Sequence, residues 1–434
     1  MDESRVTLED LTPVRKRLRI EVPADAVNAE LERAFQRVGL RARLPGFRPG
    51  KAPRTVLERI FGDDVRREVV GHLVEHSFAH AVEEHRLAVV GTPDLDVEGL
   101  TAGEPLRYAA TVEVRPTIVV GDLDGLAAAR PSAEVPEEEV ERILGAMRES
   151  TAQLRPVEDR TTVETGDVVR VDLASRLEGG EPARREGVLL EAGGGSFPLA
   201  LERQLVGQHR GAHLSLRVPY PADYPNAGLA GKTVDFEVDV GEIRVKDLPP
   251  LDDDFARDHG KCESLAELRA RIRADLERQA AARADDAVCD AIVEQVLTRH
   301  PFDVPPSLVE RRADALIASL GLRLPEGPER ERALGELRVQ VRPRAEKQVR
   351  AELLLDAIAA CDGVTVSDEE VAAEIVAIAA RERRVPEQVR ALYDRPEART
   401  ALRAKLVRDR VLAGLVARAR VVPSAGSVGV ADEK

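Results

Sequence analysis

Between Lys261 and Leu320 the chain holds no glycine. A run that long without its most permissive residue, and rich in alanine, leucine and arginine, has to be built from long helices. Ser264-Leu265-Ala266-Glu267 has the pattern of a capping box, so one helix is expected from there to His300, where Pro301 stops it. Pro305-Pro306-Ser307 starts another. Pro343 is expected to begin a third helix rather than interrupt one, carrying Leu353, Leu354, Leu355, Ile358 and Ala359 up to Asp362-Gly363. Ser367-Asp368-Glu369-Glu370 is a second capping box, and two further helices should end near Val422. Residues from Pro423 onward read as a frayed tail. Aromatic residues are only 3% and tryptophan is missing, which suits thin cores between long helices. Helices broken at prolines give an extended scaffold with projecting arms and open apolar faces; the alternative is a closed bundle that buries those faces.

Upstream the texture changes twice. From Thr161 to Val245, Val169, Val171 and Leu173 alternate with Arg170 and Asp172, glycines recur, and Val234, Phe236, Val238 and Val240 alternate near the end. Short strands with glycine turns make a small β domain. At the N-terminal end, Leu18, Ile20 and Val22 alternate as in a half-buried strand. A helix over 25–39 and one or two helices over 55–85 follow, with Gly62 and Gly71 as candidate breaks. A second strand alternates from Leu106 to Val114, closing a compact α+β domain near Arg115. The segment 117–160 connects the two domains. Its Pro136, Glu137, Glu138 and Glu139 open a helix whose Val140, Ile143, Leu144 and Met147 form one stripe, which calls for a surface to dock against. The fold class is therefore α+β multidomain: an α+β domain over 1–116, a helical connector over 117–160, a small β domain over 161–245, an extended all-α domain over 246–422 and a disordered tail over 423–434.

The loop between the first helices, Arg41 to Arg54, holds five cations (Arg41, Arg43, Arg48, Lys51, Arg54) and no acid, in a chain of net charge −14. Pro45-Gly46 and Pro49-Gly50 are turn dipeptides, and Phe47 stands between them with no apolar neighbour. A lone aromatic among cations on a loop suits an anionic partner that offers an apolar notch; a solvated loop with Phe47 folded back as a plug is the alternative. A phosphate-cradling Walker A loop is excluded, because three residues rather than four separate the glycines and Ala52 follows the lysine. The net negative charge excludes a general nucleic-acid binder. Cys262, Cys289 and Cys361 lie far apart without metal-ligand spacing, and read as buried or free thiols of a reducing compartment. The acidic N-terminus lacks the apolar core of a signal peptide, and no apolar run is long enough to span a bilayer, so a cytoplasmic protein with no membrane partner is expected. His72, His76 and His80 share a helix face at i, i+4, i+8, but without an acid at the position a metalloprotease needs they are read as surface histidines, with no metal assigned.

Gly46-Phe47-Arg48-Pro49-Gly50-Lys51-Ala52-Pro53 resembles the GFRxGKxP signature of the bacterial trigger factor family, ribosome-associated chaperones. The middle segment resembles an FKBP-type prolyl isomerase through Gly207-Gln208-His209-Arg210-Gly211, Val218 to Tyr224, Gly231-Lys232 and the strand carrying Phe236. The order of the segments follows the family up to Val422. The resemblance implies that Gly46, Phe47, Arg48, Gly50 and Lys51 dock on the large ribosomal subunit beside the exit tunnel, on ribosomal protein and rRNA. It implies nascent and unfolded polypeptides as clients, allows a weak homodimer off the ribosome, and needs no cofactor. It further implies an apolar prolyl pocket from Leu173, Phe197, Tyr224 and Phe236. Here the sequence departs from its family: Leu173 replaces an aromatic, and the Ile-Pro-Gly-Phe-Glu floor is replaced by Pro198-Leu199-Ala200-Leu201-Glu202. Weakened isomerase activity is the expectation, ordinary core packing of those aromatics the alternative. Two other functions stand beside it: a primarily FKBP-type prolyl isomerase, which an intact apolar, aromatic pocket would support, and a periplasmic helical chaperone, which the missing signal peptide and the basic loop both oppose.

Overall fold

A computed structural model describes residues 4–45, 47, 53–101, 103–177, 182–194, 199–220, 229, 231–322 and 327–424. The chain forms two compact units, Met1–Arg130 with Asp286–Ser427, and Pro131–Asp285 with Val428–Lys434.

The first unit begins with strands β1 (Arg5–Thr12) and β2 (Arg15–Val22), helices α1 (Ala24–Arg41) and α2 (Arg54–Glu84), then β3 (Val89–Val97) and β4 (Leu106–Val114). The strands form one antiparallel sheet in the order β1-β2-β4-β3. The alternation read in β2 and β4 holds: Leu18, Ile20, Leu106, Tyr108 and Ala110 are buried against Val27, Leu31 and Phe35 of α1 and Val65, Val69 and Leu73 of α2. Neither Gly62 nor Gly71 breaks α2, which is a single helix. Each glycine costs about 1 kcal/mol there, whereas each buried valine or leucine of its inner face returns roughly 1.5–3 kcal/mol. A short strand β5 (Ala127–Arg130) follows.

In the second unit, helix α3 (Glu137–Ser150) and strand β6 (Gln153–Pro156) lead into β7 (Val168–Leu177), β8 (Ala183–Glu191), α4 (Leu199–Leu205), β9 (His213–Pro219) and β10 (Thr233–Asp247). The sheet runs β6-β10-β7-β8, with β9 also pairing β10. Strand β10 bulges between Val240 and Ile243, where a Cβ on Gly241 would lie 2.6 Å from the Arg170 carbonyl, so glycine is needed at that crossing. Helix α5 (Asp253–Phe255) and a π-helical turn (Ala256–Gly260) precede α6 (Leu265–Arg299). The stripe of α3 finds its surface here: Val140 and Leu144 are buried with Phe255, Ala256, Leu268 and Ile272. An Arg269–Glu141 ion pair at 2.8 Å flanks that contact.

The capping box expected at Ser264 is only half formed. Glu267 N–H donates to Ser264 Oγ at 3.2 Å, but the Glu267 carboxylate accepts from the Glu263 N–H, one residue earlier. At Ser367 both reciprocal bonds are present.

From Asp286 the chain belongs to the first unit again, with α7 (Pro306–Ser319), α8 (Pro328–Asp362), α9 (Asp368–Arg381), α10 (Pro386–Leu392), α11 (Pro396–Arg418) and strand β11 (Arg420–Pro423). Pro343 lies inside α8 and does not begin a helix. It sits on the exposed side, and Val339, whose carbonyl loses its partner, is exposed, so water can satisfy the freed group. Ala345, Val349 and Leu353 hold the helix on its other side. Three helices follow α8 where two were expected, because Val385 and Arg395 are extended before prolines that restart the helix. Strand β11 pairs in parallel with β5, and Ser424 N–H donates to the Arg130 carbonyl. The residues read as tail from 425 onward lie outside the described residues.

Candidate functional site

The basic loop joins two helices whose ends are clamped. Arg54, first residue of α2, donates to Glu58 at 2.7 Å and to Glu32 of α1 at 3.1 Å, with its guanidinium 3.6 Å above the Phe35 ring. Arg37 of α1 bonds Glu68 of α2 at 3.1 Å and the buried Glu30 at 3.4 Å. Arg54 is therefore a fastener of the hairpin. An aromatic at position 35 and an acid at position 32 were the signals that could have shown it. Arg41 and Arg43 are exposed and make no ion pair among the described residues.

Within the loop, Phe47 N–H donates to the Leu44 carbonyl at 3.1 Å, closing a turn. Leu44 is tucked against the domain core while Phe47 remains 40% exposed. The plug reading, with Phe47 folded back, does not describe this arrangement. Gly46, Arg48, Gly50 and Lys51 lie outside the described residues. Beside the loop a hollow of about 280 Å³ opens between the helices, lined by Val38, Arg41 and Phe61 among others.

In the β unit, Leu173 of β7 and Phe236 of β10 share one face. Leu173 pairs with Val238 and Ser175 with Phe236, so the two side chains are diagonal neighbours, both buried in the same core. Leu201 of α4 is fully buried in that core and Tyr220 packs at its edge. Phe197 and Tyr224 lie outside the described residues, so the structure brings together only two of the four expected pocket residues.

Two polar anchors were not legible in the sequence. Arg160 grips Asp167 with two bonds of 2.6 Å, and Glu164 N–H adds a third at 2.7 Å. Burial pushes the Asp167 carboxyl up, but the Arg160 fork and the Glu164 N–H outweigh it and hold the group below its usual range. In the first unit, buried Tyr108 shares a 2.7 Å bond with Ser77 and donates to the Val74 carbonyl at 3.3 Å, tying β4 to α2. Burial pushes its phenol up to about 12, with the Ser77 bond opposing. Of the histidine row, His72 Nδ1 lies 3.8 Å from Glu30 and His80 Nδ1 lies 3.8 Å from Glu84.

A clamped helical hairpin packed on an antiparallel sheet stands in one chain with a glycine-turned β unit around Leu173 and Phe236. Residues 4–147 match the bacterial trigger factor protein model, 159–241 the FKBP-type peptidyl-prolyl cis-trans isomerase model, and 264–417 the bacterial trigger factor protein C-terminus model. A trigger factor of Anaeromyxobacter sp. (strain Fw109-5) is 37% identical over 97% of this chain and 100% of its own length. One of Geobacter sp. (strain M21) is 35% identical over 97% of this chain and 99% of its own. The chain belongs to the trigger factor family, ribosome-associated chaperones of nascent polypeptides that carry an FKBP-type isomerase domain. A solved chain described under "Promiscuous Substrate Recognition in Folding and Assembly Activities of the Trigger Factor Chaperone" aligns over 95% of this chain and 99% of that one, at 20% identity and a TM-score of 0.48. Among the described residues no helix is long and apolar enough to cross a membrane.

Proposed function

We propose that this chain docks in the cytoplasm on the large ribosomal subunit through Gly46, Phe47, Arg48, Gly50 and Lys51, and shields nascent chains as they emerge. Phe47 fills an apolar notch while Arg48 and Lys51 pair with RNA phosphates or with carboxylates of a ribosomal protein. The observation that carries the reading is the 40% exposed Phe47 at the end of a hairpin clamped by Arg54, Glu32 and Phe35. A rigid base lets a short loop bind without first ordering the helices behind it. The segment 1–116 serves docking, 117–160 connects, 161–245 is the isomerase domain, and the helices of 246–422 supply the apolar faces for clients. Off the ribosome a weak homodimer covers the same faces. The test is cosedimentation of the intact chain with purified large and small subunits over a salt series. Pelleting with large subunits alone, falling as salt rises, is expected; pelleting with neither would overturn docking.

The isomerase domain works without an acid or base. A prolyl amide crosses a barrier of about 18–20 kcal/mol set by resonance, and the twisted amide is less polar, so a dry apolar wall favours it. Leu173 and Phe236 supply part of that wall, with Phe197 and Tyr224 as its further members. Leucine where the family has an aromatic, and no glycine in Pro198 to Glu202, favour turnover below the family's usual efficiency. A protease-coupled peptide assay on the intact chain tests it, and fast turnover would refute the weakened site.

A further inference from the structure

The sheet of the docking domain turns Leu18, Ile20 and Tyr108 toward its helices, so the alternate residues of β2 and β4 cover the opposite face. That face carries a trough of about 740 Å³ lined by Arg5, Arg17, Arg19, Glu21, Asp94, Asp96, Glu98, Arg107, Ala109 and Thr111 among others. The register orders these side chains into rungs across the sheet. Arg17 of β2 pairs with Thr111 of β4, which pairs with Asp94 of β3. The next rung repeats the pattern as Arg19, Ala109 and Asp96. Each rung thus sets an arginine and an aspartate about two strand spacings apart, roughly 10 Å, with a small residue as the floor between them.

Most of the surrounding charges are matched locally. Arg107 meets Glu21 at 2.9 Å, and Arg19 reaches Glu9 at 3.4 Å. Arg17, Asp94 and Asp96 make no ion pair among the described residues, and Arg17 Nε is buried with no hydrogen-bond partner. Arg17 on one side and Asp94 with Asp96 on the other, facing each other without touching, are complementary to a guest of reversed polarity. A nucleic acid does not fit, because its phosphates would meet Asp94, Asp96 and Glu98 as soon as they met Arg17. A polypeptide segment bearing acids on one side and lysines or arginines on the other does.

We propose that this trough binds charged segments of polypeptide that carry both signs, with a guest carboxylate on Arg17 and guest cations on Asp94 and Asp96. Apolar client faces and the ribosome loop have no part in it, so it can act on stretches of chain too polar for the helical faces. The test uses the full-length chain and three dye-labelled peptides of equal length: alternating Glu and Lys, all Glu, and all Lys. Fluorescence anisotropy should show the alternating peptide bound at least tenfold more tightly than either single-charge peptide. Arg17→Glu and Asp94→Lys should each weaken it at least tenfold, and Thr111→Arg, which fills the floor, should abolish it. Circular dichroism of the variants and their retained pelleting with large subunits would show that fold and docking are untouched. Equal binding of all three peptides, no binding of the alternating one, or affinity unmoved by these substitutions would overturn the proposal. A single-stranded RNA that binds the intact chain and is lost in Arg17→Glu would overturn it in favour of a nucleic-acid site.

Discussion

Replacing Arg160 by methionine should do more damage than removing both members of its ion pair. Asp167 is almost wholly buried and Arg160 about a quarter exposed, with two 2.6 Å bonds between them. Taking away the cation leaves a carboxylate held only by the Glu164 N–H. Breaking a fully buried pair costs about 3–5 kcal/mol; allowing for the solvent that reaches Arg160, about 2–3 kcal/mol is expected here. For a β unit of this size that lowers its melting temperature by roughly 10–20 °C. In Arg160→Met/Asp167→Asn no charge is left stranded and the amide oxygen still accepts from Glu164, so the double variant should be the milder one. The pH dependence has a definite sign. Asp167 is held below its ordinary value of 3.8, so its contribution is present above that value and is lost as pH falls below it. In Arg160→Met the stranded carboxylate prefers its neutral form, so acidification from neutrality should recover part of the loss. Hydrogen exchange of the β7 and β10 amides in the intact chain reads both effects. Additive losses in the double variant, or no recovery on acidification, would refute the reasoning.

Tyr108→Phe should cost about 1–2 kcal/mol by stranding its Ser77 and Val74 partners, measured by urea unfolding of the docking domain. The Tyr108 phenol, raised to about 12, stabilises the fold below its unfolded value near 10 and ceases to do so as pH rises through 12; an alkaline tyrosinate titration should show one late tyrosine. Pro343→Ala should stabilise α8 by up to about 3 kcal/mol, since the residue is exposed and no packing is lost, and an unchanged or lower melting temperature would contradict that. Phe236→Leu should lower peptide turnover at least tenfold in the protease-coupled assay while leaving ribosome binding intact; unchanged turnover would take Phe236 out of the site.

What the sequence disclosed and what it hid have physical causes. Pro306 and Ser367 mark their helix starts through local backbone chemistry, so position alone sufficed. Strands β2, β4, β7 and β10 alternate because one face of each is buried. Strand β1 alternates only over Val6 and Leu8, which are half-buried against the core, and β11 is exposed throughout and left no such pattern. Strand β6 pairs with Arg244 to Asp247 of β10, a long-range ladder that no local pattern announces, so a clean excision of the β unit must run from Gln153 to Asp247. Pro343 misled because its cost depends on whether the freed carbonyl faces water. The loop was legible as a motif, but Arg54 could be separated from its neighbours only once Glu32 and Phe35 stood beside it. Nothing local in the sequence marks Asp167 and Arg160, and only burial distinguishes their pair from the surface ones.

Docking by the loop is the central claim, and one variant tests it most directly. Phe47→Ala/Arg48→Ala/Lys51→Ala leaves the Arg54 clamp and the helices behind it intact. Losing two charge-assisted contacts should cost on the order of 2–4 kcal/mol, a hundredfold or so in affinity. Cosedimentation with large ribosomal subunits should therefore fall to background while helical content stays at that of the parent chain. Pelleting of the triple variant at near-parental affinity would contradict the account.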